Sequence, residues 1–224
     1  MSVINTSSLL ENKNLSIFEI TKNFICIRFL DQNKERFELE FNLEKGTSFN
    51  TFLIISNNDF FIIHPPEKEY SKLINEVISN FHDEFKFNKI KIITGHVYPK
   101  IIETIKSISV QFSNLTITCS NPGFKLIRDL WNQKNPNLKT FIERELPEIN
   151  IVKKELYLEL ENISLKLIPV PTARWPGGLI IYEENQEILL SEKIFSAHLA
   201  SEEWSETNRI STDCLLYTSD AADE

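Results

Sequence analysis

The stretch Ile90-Lys91-Ile92-Ile93-Thr94-Gly95-His96-Val97-Tyr98-Pro99-Lys100-Ile101 decides how the chain is organised. An isoleucine-rich run breaks at Gly95, Pro99 suits a first helical position, and the isoleucines that follow take helical spacing. The spacing predicts a strand, a loop and a helix start. Holding two close cations from such a loop takes several oxygen and nitrogen ligands on one rigid turn. Here His96 stands almost alone, because Tyr98, Lys100 and Ile101 offer a phenol, an ammonium and a hydrocarbon. The stretch reads as a metal-site loop without its metal.

Upstream, Pro65-Pro66 stops a strand, and Tyr70, Leu73, Ile74, Val77, Ile78 and Phe81 follow the spacing of one helical face. Before it, the apolar runs Phe49–Ile55 and Phe60–Ile63 flank Ser56-Asn57-Asn58-Asp59, which is hairpin chemistry. Phe24–Phe29 reads as a strand and Asp31–Lys34 as a turn, while Phe37, Leu39 and Phe41 alternate with Glu38 and Glu40 as in a half-buried strand. Residues 1–16 are polar and expected to be flexible.

Downstream, Ile101, Ile102, Ile105 and Ile108 mark a second helix, and Leu115–Cys119 a strand. Ser120 ahead of Pro122 caps a third helix that turns Phe124, Ile127, Leu130 and Trp131 inward. Past the polar turn Asn132–Asn137 come short strands at Tyr157–Leu160, Ile163–Ile168, Leu179–Tyr182 and Ile188–Leu190. Strands, two βα units, then strands again point to an α/β fold, an αβ/βα sandwich of two mixed sheets with helices outside.

With 224 residues and 42% hydrophobic composition, the chain can bury a full core in one large domain. A net charge of −8 with no basic stripe argues against nucleic-acid binding. Cys26, Cys119 and Cys214 show no metal or redox spacing, which fits reduced thiols in a cytoplasmic protein. The N-terminus lacks a signal-peptide pattern, and no apolar stretch is long enough to span a membrane. The segment Cys214–Glu224 abandons the Lys/Asn/Ile bias of the rest and resembles the translation of a transposase sequencing adapter. The expectation is a domain over 17–213, incomplete at its C-terminal end, with 214–224 set aside as a scar.

Three stretches carry a family likeness. Ile27–Phe41 followed by Gly46–Ile54, then Pro171-Thr172-Ala173-Arg174-Trp175-Pro176-Gly177-Gly178-Leu179-Ile180-Ile181-Tyr182, then Leu190-Ser191-Glu192-Lys193-Ile194-Phe195-Ser196-Ala197-His198, resemble the flavodiiron proteins (diflavin flavoproteins) of oxygenic phototrophs. The likeness falls in their N-terminal metallo-β-lactamase-like domain. It covers nearly all of residues 17–204.

The resemblance implies where iron ligands would stand. In iron-binding members the first motif is His-x-Glu-x-Asp-His, the residue ahead of Trp-Pro is His, and a later Asp bridges the metals. His96 matches, whereas Tyr98 replaces Glu, Lys100 replaces Asp, Ile101 replaces His, Arg174 replaces His and Lys193 replaces Asp. The last iron-ligand His of the family is expected beyond residue 212. One imidazole does not hold two irons, and three added cations repel them. Lys100, Arg174 and Lys193 are therefore expected either to be balanced by buried carboxylates, waters or an anion, or to reach solvent.

The resemblance further implies FMN in flavodoxin-like and reductase domains downstream, electron flow from NAD(P)H to oxygen, and homo- or hetero-oligomers with flavodiiron subunits. Against it stand a catalytically silent partner of an iron-bearing paralogue and a one-metal hydrolase, the latter opposed by the three cations. No Gly-x-Ser-x-Gly elbow or Gly-rich phosphate loop competes. His64 is expected in a loop or capping role, His82 at a helix C-terminus, and His198 in a structural hydrogen bond.

Overall fold

The computed structural model describes residues 15–37, 40–41, 43, 45–56, 58–133, 145–172, 175–194, 198 and 200. Arg174 and the segment 214–224 lie outside these residues. The chain opens with an antiparallel meander, β1 (Leu15–Thr21) against β2 (Phe24–Asp31). The strand β1 begins inside the stretch expected to be flexible, because Leu15 and Ile17 pack on the core although polar residues interrupt the run. The single strand expected around Phe37–Phe41 is instead two short ones, β3 (Arg36–Phe37) and β4 (Glu40–Phe41), paired with each other. Then β5 (Thr47–Ser56) and β6 (Asp59–Ile63) form the expected hairpin.

Helix α1 (Ser71–Phe85) leads to β7 (Lys89–Ile93), α2 (Pro99–Gln111) to β8 (Leu115–Ser120), and α3 (Asn121–Trp131) to β9 (Glu148–Val152). The Ser120 hydroxyl accepts the Gly123 amide at 3.1 Å, so the expected cap of α3 is in place. Strand β9 escaped the sequence reading despite its alternation Glu148-Ile149-Asn150-Ile151. Seven strands pair in the order β1-β2-β5-β6-β7-β8-β9, parallel from β6 onward. A second sheet holds β10 (Leu156–Leu160), β11 (Ile163–Pro169), β12 (Leu179–Glu183) and β13 (Ile188–Leu190), all antiparallel.

The pleat of β6 explains the layering. Phe60 and Ile62 join a core with Ile74, Phe81, Ile105 and Ile127 of the helices, while Phe61 and Ile63 face Leu165, Leu167 and Ile181 of the second sheet. A strand buried on both faces reads as a continuous apolar run, as β6 does. Helices α1–α3 cover one face of the large sheet and the small sheet covers the other. This is a metallo-β-lactamase-like sandwich, in agreement with the expected fold class. Among the described residues, no helix is long and apolar enough to cross a membrane.

Candidate functional site

The parallel strands β6 and β7 end on one rim, where the loops before α1 and α2 meet. The C-terminal ends of parallel strands are where α/β proteins place their sites. Gly95 makes the close approach possible. A Cβ there would sit 2.3 Å from the Leu179 carbonyl oxygen and 2.9 Å from Cε1 of His64, so any side chain would push β12 and His64 away.

Glu67 is the centre of one side of this rim. It is 2% exposed, yet both carboxylate oxygens are engaged. Lys34 donates to Oε2 at 2.5 Å, Lys100 to the same oxygen at 3.2 Å, and the Tyr98 hydroxyl to Oε1 at 3.0 Å. Lys100 also meets Glu69 at 2.7 Å. The cluster thereby ties the turn after β2, the loop before α1 and the first turn of α2. Lys100 sits where the helix dipole disfavours a cation, and the two carboxylates offset that penalty. Burial alone would lower the Lys100 pKa and raise that of Glu69. Their mutual hydrogen bond and charge, with Glu67 acting on Lys100 as well, outweigh burial and hold Lys100 above and Glu69 below the ordinary values.

The other expected positions lie close by. The His96 ring is 8% exposed and its centroid lies 4.8 Å from that of Tyr98. The Thr94 hydroxyl donates to the His96 carbonyl at 2.9 Å. Lys193 places Nζ 5.7 Å from the Tyr98 ring centroid, within cation–π range. Ile101 turns the other way and is buried in the helix-side core. Thus His96, Tyr98, Lys100 and Lys193 gather on one rim, and Ile101 packs beneath it. The expectation that a buried carboxylate balances Lys100 holds, with Glu67 in that role.

Sequence reasoning missed Glu67 and Lys34. The available signal was a lone Glu after Pro65-Pro66 and a Lys in the β2 turn, neither of which stands out without the fold. His198 does bond Thr47, Nδ1 to Oγ1 at 3.0 Å, as expected of a structural histidine. His82 lies in the last turn of α1 with its ring 4.8 Å from that of Phe87.

His64 lies in the loop after β6, one of the two roles expected of it, and its ring makes no capping hydrogen bond among the described residues. It follows β6 with a left-handed φ of 54° and is 7% exposed. Its backbone is well held, the amide donating to Ile93 at 2.9 Å and the carbonyl accepting from Thr51 at 2.8 Å. Neither ring nitrogen finds a hydrogen-bond partner among the described residues. The nearby Leu190 backbone favours a proton on the ring without making a full bond.

These residues do not fit a diiron centre. The buried carboxylate is already saturated by three donors, two of them cationic, and a dication beside Lys34 and Lys100 would be repelled. No group of three His, Cys, Asp or Glu is arranged for a metal among the described residues.

Comparison with known proteins places this chain in a family. Diflavin flavoprotein A 5 of Nostoc sp. PCC 7120 is 27% identical over 91% of this chain, and diflavin flavoprotein A 3 of Synechocystis sp. PCC 6803 is also 27% identical over 91%. The chain spans about a third of the length of these relatives, 35% and 34%. A crystal structure of residues 1–254 of the Nostoc protein superposes with a TM-score of 0.76 at 26% identity, covering 94% of this chain and 78% of that fragment. The metal-soaked Flv1 flavodiiron core from Synechocystis gives 0.73 at 25% identity, covering 91% of this chain and 48% of that one. The model of the family described as ODP family beta lactamase matches residues 47–215, well over half of the sequence, and the chain belongs to that family.

Proposed function

We propose that this chain is the β-lactamase-fold part, residues 17–213, of a flavodiiron-type oxidoreductase that moves electrons from NAD(P)H through flavin toward oxygen, with its own diiron site lost. The observation that carries this reading is the saturation of Glu67 by Lys34, Tyr98 and Lys100 on the rim where iron ligands would stand. FMN would reside in the flavodoxin-like and reductase parts of the intact protein, in keeping with the diflavin names of the relatives. The intact protein works in the cytoplasm as a homo- or hetero-oligomer of flavodiiron subunits. A second reading makes the domain a silent partner that pairs with an iron-bearing paralogue, and the same saturated pocket favours it.

The intact protein, purified with its flavins, separates these outcomes. NAD(P)H should reduce the flavin while oxygen uptake stays at the background of free flavin. Uptake restored by an iron-bearing diflavin relative that co-elutes with it supports the partner reading. Rapid oxygen uptake by this protein alone overturns the loss of the iron site.

A further inference from the structure

The unsatisfied imidazole of His64 is the feature of the pocket that its ion cluster leaves unexplained. It sits where the two sheets meet. Phe52 of β5 meets it edge to face at 6.5 Å between centroids, Gly95 lies against Cε1, and the Leu190 backbone, just ahead of the turn after β13, lies beside it. The charged and titratable groups that face it are Glu192 and Lys193 from that turn and His96 from the loop after β7. Glu192 itself has a left-handed φ of 58°, so both sides of the junction use a strained backbone.

A neutral ring tolerates this site, since it carries no net charge. A protonated ring does not, because one carboxylate answers it while Lys193 repels it and neither N–H has an acceptor of good geometry. The slot beside this junction, lined by Gly95, Leu179, Glu192 and Lys193 but not by His64, has room for about one water, so it offers a buried cation little hydration. The way to solvate the charge is to move the turn.

We propose that His64 is a proton-sensitive latch, neutral when the Ser191–Ile194 turn is docked against the β6 and β7 ends, and releasing that turn when the ring takes up a proton. This inference rests on the reading of the pocket as free of iron, since a metal beside His96 would alter every charge that His64 meets. Burial is the largest influence on the ring and lowers its pKa from 6.5, with Glu192 and the Leu190 backbone opposing and Lys193 and His96 reinforcing. The unfolded or undocked chain therefore binds the proton more readily. Docking strengthens as pH rises toward neutrality and weakens as pH falls below about 6.5.

The test is amide hydrogen exchange on the full chain at pH 7.5 and 5.5, corrected for intrinsic rates, in samples whose metal content is measured alongside. Protection of residues 188–194 should fall several-fold, up to about tenfold, since pH 5.5 lies one unit below the ordinary histidine value, while β7 keeps its protection. The His64→Asn variant, whose side chain tolerates the left-handed backbone and does not titrate, should lose that pH dependence. Where the variant fails to fold, the wild-type ring resonance serves instead, and its midpoint should lie below the ordinary histidine value. Protection independent of pH in a metal-free wild-type sample, a variant with unchanged pH dependence, or a ring titrating at or above the ordinary value overturns the latch alone. A full complement of iron in the sample overturns both the latch and the proposed loss of the iron site.

Discussion

Glu67 and His64 lie three residues apart on one loop, are both buried, and are treated in opposite ways. Glu67 is met by two ammonium groups and a phenol from separate segments, whereas the two nitrogens of His64 find no hydrogen-bond partner among the described residues. A charged group left alone in a core costs several kcal/mol, so a buried carboxylate persists only with its partners. A neutral imidazole costs less and can be left wanting. One side of the pocket is thus locked by charge, and the other is held by packing and by the absence of a proton.

The comparison can be broken from its stronger side first. Glu67→Ala leaves Lys34 and Lys100 facing each other without their shared anion, and should lower the unfolding free energy in urea by about 4 kcal/mol. Lys34→Met removes one of three donors from a carboxylate that keeps the other two, and should cost about 2 kcal/mol in the same measurement. Ser120→Ala lies outside both sides and serves as a control. It deletes the cap of α3 and should cost about 1 kcal/mol, with no change in the pH dependence of stability.

Smaller effects sharpen the contrast. The Lys100 side chain is 43% exposed, so Lys100→Met should cost below about 1 kcal/mol, and high salt should shrink the difference. Cys26 and Cys119 carry no role in either side, and burial pushes both thiols up to about 12. Arg28 only partly opposes that rise at Cys26. Neither thiol should react with iodoacetamide at pH 8 in the folded chain, and both should react in urea.

The sandwich was legible because its signals are local and periodic. Ile74, Val77, Ile78 and Phe81 lie on one helix face, Ser120 precedes Pro122, and the double-sided burial of β6 writes itself as an unbroken apolar run. Strand β1 was harder to read because Ser16, Glu19 and Thr21 dilute its apolar residues, and its pairing with β2 decides its state. The short pair β3 and β4 falls within what reads as one alternating strand, and only their pairing with each other shows them to be two. At the site, that Tyr98 and Lys100 stand where the resemblance puts acidic ligands is visible in the sequence. Their partners are not, since Lys34 and Glu67 are thirty-three positions apart and only the packing of the loop before α1 beside the β2 turn brings them together. His64 was legible as a strand end, but the close packing of its ring depends on Gly95, whose missing side chain lets the ring approach the loop after β7.

The central claim is that a charge cluster occupies the place of a metal centre, and iron analysis of the intact protein expressed in iron-replete medium tests it most directly. A companion variant carries Tyr98→Glu, Lys100→Asp, Ile101→His, Arg174→His and Lys193→Asp together. The account predicts iron near zero in the wild type and iron bound by the variant. A pair of irons per chain in the unaltered protein would contradict it.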